Sequence, residues 1–325
     1  MSEVSAIEKQ TMNTYGWATR DSSGILSPFH FERSSFDCAN ATWHCFAILY
    51  KANGNNDITI KILYCGICHT NIHMAKNEGG ITNYPFVLGH KIVGEVTKVG
   101  HNITKFKIGD KAGVGCMCQF QIVCHYMVLL LLCAGITVYS PMMYYGLCKL
   151  GQHFGVVGLG GLGHVTVKFV KVLGTKVTVT STSPSKQKEA LEWLGVDSFL
   201  VCHDQEQLLV AVDTMDGIID TVSSPHPILP LIDLLKTNGK FIVVGVPIEA
   251  PEIPYIPLIM GSISNGEDHF LQVLRRRGNE RDIGDVDFAA KHNIITDVEV
   301  IPIDYVNTTM ERLANDDVKY PYPFS

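Results

Sequence analysis

Between Cys65 and His73 the chain reads Cys65-Gly-Ile-Cys68-His69-Thr70-Asn71-Ile-His73, which sets thiols, imidazoles and a hydroxyl within one short stretch. Such a stretch can bind metal or cycle a dithiol. By itself Cys-x-x-Cys reads as a redox pair, as half a zinc knuckle, or as two thiols of a core. Further ligand types stand at His90, after Gly89, and at Cys133, before Ala134-Gly135. Three nitrogen or sulfur donors with a fourth position left open make a catalytic zinc, whereas four protein donors make a closed structural one.

A second chemical signal is Gly158-Leu159-Gly160-Gly161-Leu162-Gly163. A lone G-x-G-x-x-G is weak, but here an apolar run (Phe154 to Val157) precedes it and a helix-compatible run (Leu162 to Leu173) follows. In that setting Gly158 allows the tight turn, Gly160 lets backbone approach a pyrophosphate, and Gly163 allows close helix–strand packing. The helix N-terminus adds N–H donors and a favourable dipole. A dinucleotide site that prefers NAD places a carboxylate about 20 residues on. This chain has Thr180-Ser181-Thr182-Ser183-Pro184-Ser185-Lys186 there. Hydroxyls and a lysine hold a 2′-phosphate that a carboxylate would repel, so NADP(H) is favoured. Ser183 also stands where it could cap a helix starting near Pro184.

Elements of two textures must position these groups. In the first third, Asp57 to Tyr64 and Lys91 to Gly100 alternate with period 2, as half-buried strands do, and Gly109-Asp110 and Gly113 punctuate another. From about residue 150, short apolar runs (Phe154–Val157, Lys176–Thr180, Gly217–Asp220, Lys240–Gly245) alternate with helical stretches such as Lys186 to Leu194. That alternation predicts a parallel sheet wrapped by helices. Gly261 to Asp285 is polar and aperiodic, and a regular pattern resumes at Phe288 to His292.

Length and composition narrow the class. The 325 residues suggest two domains, and 46% hydrophobic against 18% charged residues suffices for a large core. With net charge −6 and no basic run, nucleic acid is excluded as a partner. The longest apolar run, Tyr126 to Tyr139, is shorter than the roughly 20 residues that span a bilayer. Met1 to Thr19 is polar and lacks the apolar segment of a signal peptide, so a cytoplasmic, reducing location is expected. The sequons at Asn40, Asn102 and Asn307 then read as chance matches.

Taken together, Cys65-Gly-Ile-Cys68-His69-Thr70, Val87-Leu-Gly-His90, Leu132-Cys133-Ala-Gly-Ile-Thr-Val-Tyr-Ser-Pro141 and Val157-Gly-Leu-Gly-Gly-Leu-Gly-His164 resemble the plant zinc alcohol dehydrogenases. The cinnamyl alcohol dehydrogenase group, with its mannitol and hydroxygeraniol dehydrogenase relatives, is nearest. Thr180 to Lys186, Asp216 to Ser223 and Asp304 to Thr308 extend the match over most of the chain. The resemblance implies an α/β fold: a GroES-like β-rich catalytic domain (1–149), a Rossmann-type nucleotide domain (150–284) and a C-terminal return (285–325). It implies Cys68, His90 and Cys133 as ligands of one catalytic zinc, with Cys65 a bystander. Thr70 would take the alcohol proton and pass it through the cofactor ribose, with His73 a later stage. Zinc would act as Lewis acid, hydride would pass between substrate carbon and nicotinamide, and the substrate would be a primary alcohol or its aldehyde. A homodimer is the expected assembly.

The chain departs from the family in places. Asn71 and Lys91 stand where the family usually has Asp and Glu, which predicts weakened zinc binding. The run from Cys116 through Cys124 leads almost directly to Cys133, so the family's structural-zinc lobe and the strands beside it are expected to be absent; Cys118 and Cys124 lack the spacing to replace it, and no structural zinc is predicted. Residues 37–55 look inserted, 261–285 do not resemble the family, and the tail from Lys319 replaces its final strand. Two other readings stay open: a relative that binds nucleotide but holds metal poorly, and a zinc-independent NADPH reductase of an activated C=C or iminium.

Overall fold

Period-2 alternation and β-branched residues do put strands where the chemistry-bearing segments begin and end. The computed structural model describes residues 12–33, 54–115, 120–122, 129–147, 149–246, 271–273, 284–296, 298–315 and 323–324. The chain divides into two compact units, Met1–Leu129 with Val298–Ser325, and Leu130–Asp297.

The first unit opens with β1 (Met12–Thr19) and β2 (Leu26–Arg33), an antiparallel pair. β3 (Ile58–Gly66) leads straight into α1 (His69–Ala75), and β4 (Phe86–Val87) pairs with β1. β5 (Ile92–Val99), β6 (Lys111–Val114) and β7 (Phe120–Ile122) extend an antiparallel sheet from β3. Ile58, Ile60, Val96 and Ala112 form its buried face. The return segment packs on a second core: Val306, Thr309, Met310 and Leu313 are the buried residues near one face of the C-terminal helix, and Val306, Met310 and Leu313 join Ile67 and Ile72 of the α1 region. Spacings of three, one and three residues are what one helical face requires. Asn307 on that helix exchanges two hydrogen bonds with the backbone of Leu26, at 2.8 and 2.9 Å. Its amide is thereby committed to the Leu26 backbone.

In the second unit a single π-turn (Leu131–Gly135) runs into α2 (Ile136–Tyr144). There follow β8 (His153–Val157), α3 (Gly161–Val172), β9 (Lys176–Ser181), β10 (Ser198–Val201), α4 (Gln205–Val210), β11 (Met215–Asp220), α5 (Leu229–Ile232), β12 (Leu235–Val243), β13 (Leu271–Val273) and α6 (Asp285–Lys291). The six strands form one parallel sheet in the order β10-β9-β8-β11-β12-β13. The chain winds outward from β8 to β10, then resumes on the other side at β11. The strand order therefore reverses between β8 and β11, and ligands of such sheets bind at the carboxyl ends of the strands flanking that point. β9 is buried on both faces, as a central parallel strand must be. Phe154, Val156, Val177, Val179 and Phe169 are all within 1% of full burial, each contributing about 1.5–3 kcal/mol.

Three expectations change. The helix near 288 begins at Asp285 rather than at Phe288, because acidic residues at 285 and 287 suit its first turn. The aperiodic stretch contains a strand, β13, paired parallel to β12. The tail does not forgo a final strand: β14 (Pro323–Phe324) pairs antiparallel with Gly66 and Cys65. It is the edge of its sheet, the place where a proline without an N–H is tolerated. Residues 37–53 of the apparent insertion at 37–55, and Cys116, Cys118 and Cys124 with the structural-zinc question, lie outside the described residues.

Candidate metal centre and nucleotide turn

β3 ends at Gly66, and Cys68 is the N-cap of α1. The Cys68 backbone N–H donates to Asn71 Oδ1 at 2.9 Å, which fixes the loop carrying the sulfur. Asn71, predicted to weaken the centre by lacking a carboxylate, thus does an acceptor's positional work without the charge. His90 is 2% exposed and immediately precedes the strand-entry residue Lys91. Its Nε2 lies 3.4 Å from Cys68 Sγ. Cys133 sits in the π-turn ahead of α2. The two sulfurs and an imidazole nitrogen of Cys68, Cys133 and His90 all lie within 4.8 Å of one another. Sulfur and nitrogen bound to one tetrahedral zinc stand about 3.6 Å apart, given bond lengths near 2.3 and 2.0 Å. The donor set and its spacing fit zinc.

The neighbouring groups are placed as follows. Cys65 Sγ faces Gly89, where a Cβ would come to 2.7 Å, and burial pushes its thiol up to about 11 against the opposing pull of the Lys91 ammonium. Thr70 is half-buried in the first turn of α1. His73, in the last turn, pairs through Nδ1 with Glu78. Lys91 is 1% exposed. A lysine sealed inside was not legible beforehand, because its direction depends on how β3 and β5 pack.

At the carboxyl end of β8, Gly158 takes φ +84°, and a side chain there would meet Val222 and Thr221. A Cβ on Gly163 would lie 2.1 Å from the Gly158 carbonyl oxygen. Gly160, the N-cap of α3, has nothing within 4 Å of a built Cβ. Two glycines thus close the turn and the third leaves open space in front of the helix N-terminus, a cradle that fits a pyrophosphate. Gly161 and Leu162 continue the turn half-buried, and Leu159 is buried. Thr221, just beyond β11, donates to the Val157 carbonyl at 2.7 Å and joins the two strands at the reversal point.

Lys186 Nζ donates to the Leu159 carbonyl at 3.1 Å, so the lysine stands over the glycine turn. Ser181 is buried and accepts from the Ser183 N–H at 3.2 Å, while Thr182 is exposed. Ser183 is the N-cap before Pro184, yet its hydroxyl makes no capping bond. That hydroxyl is not committed to the helix. Sequence reasoning missed two flanking pairs. His164 bridges the Gly160 carbonyl (2.8 Å) and Glu189 (3.2 Å). Asp220, 1% exposed at the end of β11, accepts from Val222 N–H and pairs with His226 at 3.0 Å, which holds the His226 imidazole above its ordinary value.

Comparison with known proteins agrees. Residues 54–168 match the alcohol dehydrogenase GroES-like domain, and residues 161–279 match the zinc-binding dehydrogenase family. A probable mannitol dehydrogenase of Fragaria ananassa is 46% identical over 94% of this chain and 93% of its own length. A cinnamyl alcohol dehydrogenase structure from Sorghum bicolor is 39% identical, with TM-score 0.78 over 96% of this chain and 97% of that one. The cinnamyl alcohol dehydrogenase of Helicobacter pylori complexed with NADP(H) is 26% identical, with TM-score 0.75 over 97% and 98%. No helix among the described residues is long and apolar enough to cross a membrane. With a GroES-like domain followed by a Rossmann-type parallel sheet, the chain belongs to the zinc-binding alcohol dehydrogenase family.

Proposed function

We propose that this alcohol dehydrogenase interconverts a primary alcohol, of cinnamyl or terpenoid type, and its aldehyde, using NADP(H) and one zinc held by Cys68, His90 and Cys133. The convergence of those three donors carries the reading. When bound, zinc supplies Lewis acidity to a substrate oxygen and the nicotinamide supplies or accepts hydride. The chain's own part is to bind, orient and move a proton. The N–H groups at Gly160 to Gly163 hold the pyrophosphate, while Ser181, Thr182, Ser183 and Lys186 hold the 2′-phosphate. Thr70, two residues from Cys68, receives the proton of the alcohol. His73, held by Glu78, takes it toward solvent. Residues 1–149 and 285–325 serve as the catalytic domain and 150–284 as the nucleotide domain. A second, structural zinc is not part of this reading, and neither is a membrane or nucleic-acid partner; a cytoplasmic homodimer is.

NADPH oxidation with cinnamaldehyde tests it. Wild type is expected to turn over, and Cys68→Ser to lose at least about 100-fold in kcat/KM, as a lost metal ligand should. Equal rates in the two proteins reject the zinc reading. Consumption of NADPH with a conjugated C=C substrate but with no aldehyde favours the zinc-independent reductase.

A further inference from the structure

The chemistry above leaves one buried carboxylate of the nucleotide unit without a task. Asp220 is 1% exposed at the carboxyl end of β11, beside the point where the strand order reverses. A carboxylate so enclosed needs a partner for each oxygen. Oδ1 accepts from the Val222 N–H and Oδ2 pairs with His226 Nε2, both at 3.0 Å. His226 Nδ1 donates to the Ser224 carbonyl at 2.9 Å, so the ring is held from two sides. One side chain thus fastens the start and the end of the loop 221–226. That loop is also pressed against the glycine turn. Thr221 donates to the Val157 carbonyl at 2.7 Å, and a Cβ on Gly158 would come to 2.7 Å from Val222 Cγ2. On the other side, a Cβ on Gly245 would come to 2.0 Å from the Val222 carbonyl oxygen. Val222 is therefore wedged between the turn after β8 and the end of β12.

We propose that Asp220 and His226 are positioning residues for the nicotinamide half of the cofactor, the pair holding loop 221–226 where that half docks. The inference deepens the NADP(H) reading and rests on it. Its physical core is the order of the strands. With the 2′-phosphate at the end of β9 and the pyrophosphate on the turn after β8, a dinucleotide laid across β9-β8-β11 brings its other half to the end of β11. A loop fixed beforehand costs no ordering when the ligand arrives, whereas a loose one takes that cost out of the affinity. Only the part of the ligand that meets the loop should register the difference.

The test is ligand binding by the full chain, without turnover, measured by isothermal titration calorimetry. NADPH carries both halves, whereas adenosine 2′,5′-bisphosphate carries the 2′-phosphate and one further phosphate but no nicotinamide. Wild type, His226→Leu, His226→Gln and Asp220→Asn are compared after circular dichroism has checked their fold. A glutamine amide can take the place of Nε2 and still donate to Asp220, which leucine cannot. Asp220→Asn breaks the pair from its other side should the leucine variant fold poorly. His226→Leu and Asp220→Asn are expected to bind NADPH about 10-fold more weakly, as loss of a hydrogen bond to a charged group does, and the bisphosphate within about 2-fold of wild type. His226→Gln should stay near wild type with both ligands. NADPH affinity unchanged in the first two variants, an equal loss for both ligands, or a glutamine variant as weak as the leucine one overturns the proposal. Wild type that binds neither ligand rejects the NADP(H) reading itself, and the proposal with it.

Discussion

At the scale of single residues, the metal donors and the lysine over the glycine turn make separable predictions. His90→Ala should take zinc content, measured by elemental analysis after gentle purification, from about one ion per chain to near none, since two donors rarely hold this ion. Lys186→Ala should weaken NADPH binding by about 10- to 150-fold while leaving NADH unchanged. On the proposed reading its ammonium would make a charge-assisted bond to the 2′-phosphate alone, of about 1.5–3 kcal/mol. Equal losses for the two cofactors would instead assign Lys186 to shaping the turn through its bond to the Leu159 carbonyl.

At the scale of elements, the βα turn separates structural from ligand-facing glycines. In Gly163→Ala the new Cβ would press to 2.1 Å from a backbone oxygen of the same turn, so β8 or α3 must shift. About 1–3 kcal/mol of stability should be lost, read as a fall in Tm. Gly160→Ala meets open space and should melt within a degree or two of wild type. It should nevertheless lose nucleotide affinity, because the methyl occupies the space a pyrophosphate needs. Should Gly160→Ala bind NADPH as wild type does, the cradle is misassigned.

For the whole molecule, two histidines on the nucleotide unit give stability opposing pH dependences. The hydrogen bond to Asp220 raises His226 above 6.5 in the folded state. Its contribution is complete below 6.5 and is lost as pH rises through the raised value. Burial lowers His153, which donates from Nδ1 to the Thr214 carbonyl (3.0 Å) and accepts at Nε2 from the Thr178 hydroxyl (2.7 Å). Its contribution is complete above 6.5 and is lost as pH falls below that toward the lowered value. Asp220→Asn should therefore flatten the decline of Tm on the alkaline side of 6.5, and His153→Gln the decline on the acid side. A variant with the pH profile of wild type removes that histidine from the account.

What the order of amino acids determined by itself is whatever depends on short-range periodicity and turn chemistry. Phe154–Val157 followed by Gly158–Gly163 can only be a strand entering a helix through a turn with positive φ. Val177 and Val179 alternate in a strand that must be buried. Cys68, His90 and Cys133 could be named in advance only through the resemblance of their local motifs to a known family, because the stretches between them carry no spacing rule. Only the tertiary structure decided whether those donors meet, that Asn71 caps the Cys68 loop, and that Lys91 lies inside against Gly66. It also decided that Pro323 and Phe324 close the sheet edge beside Cys65. Each of these is a contact between segments remote in the chain, chosen by the packing of sheets and cores, and local preference leaves such contacts undetermined.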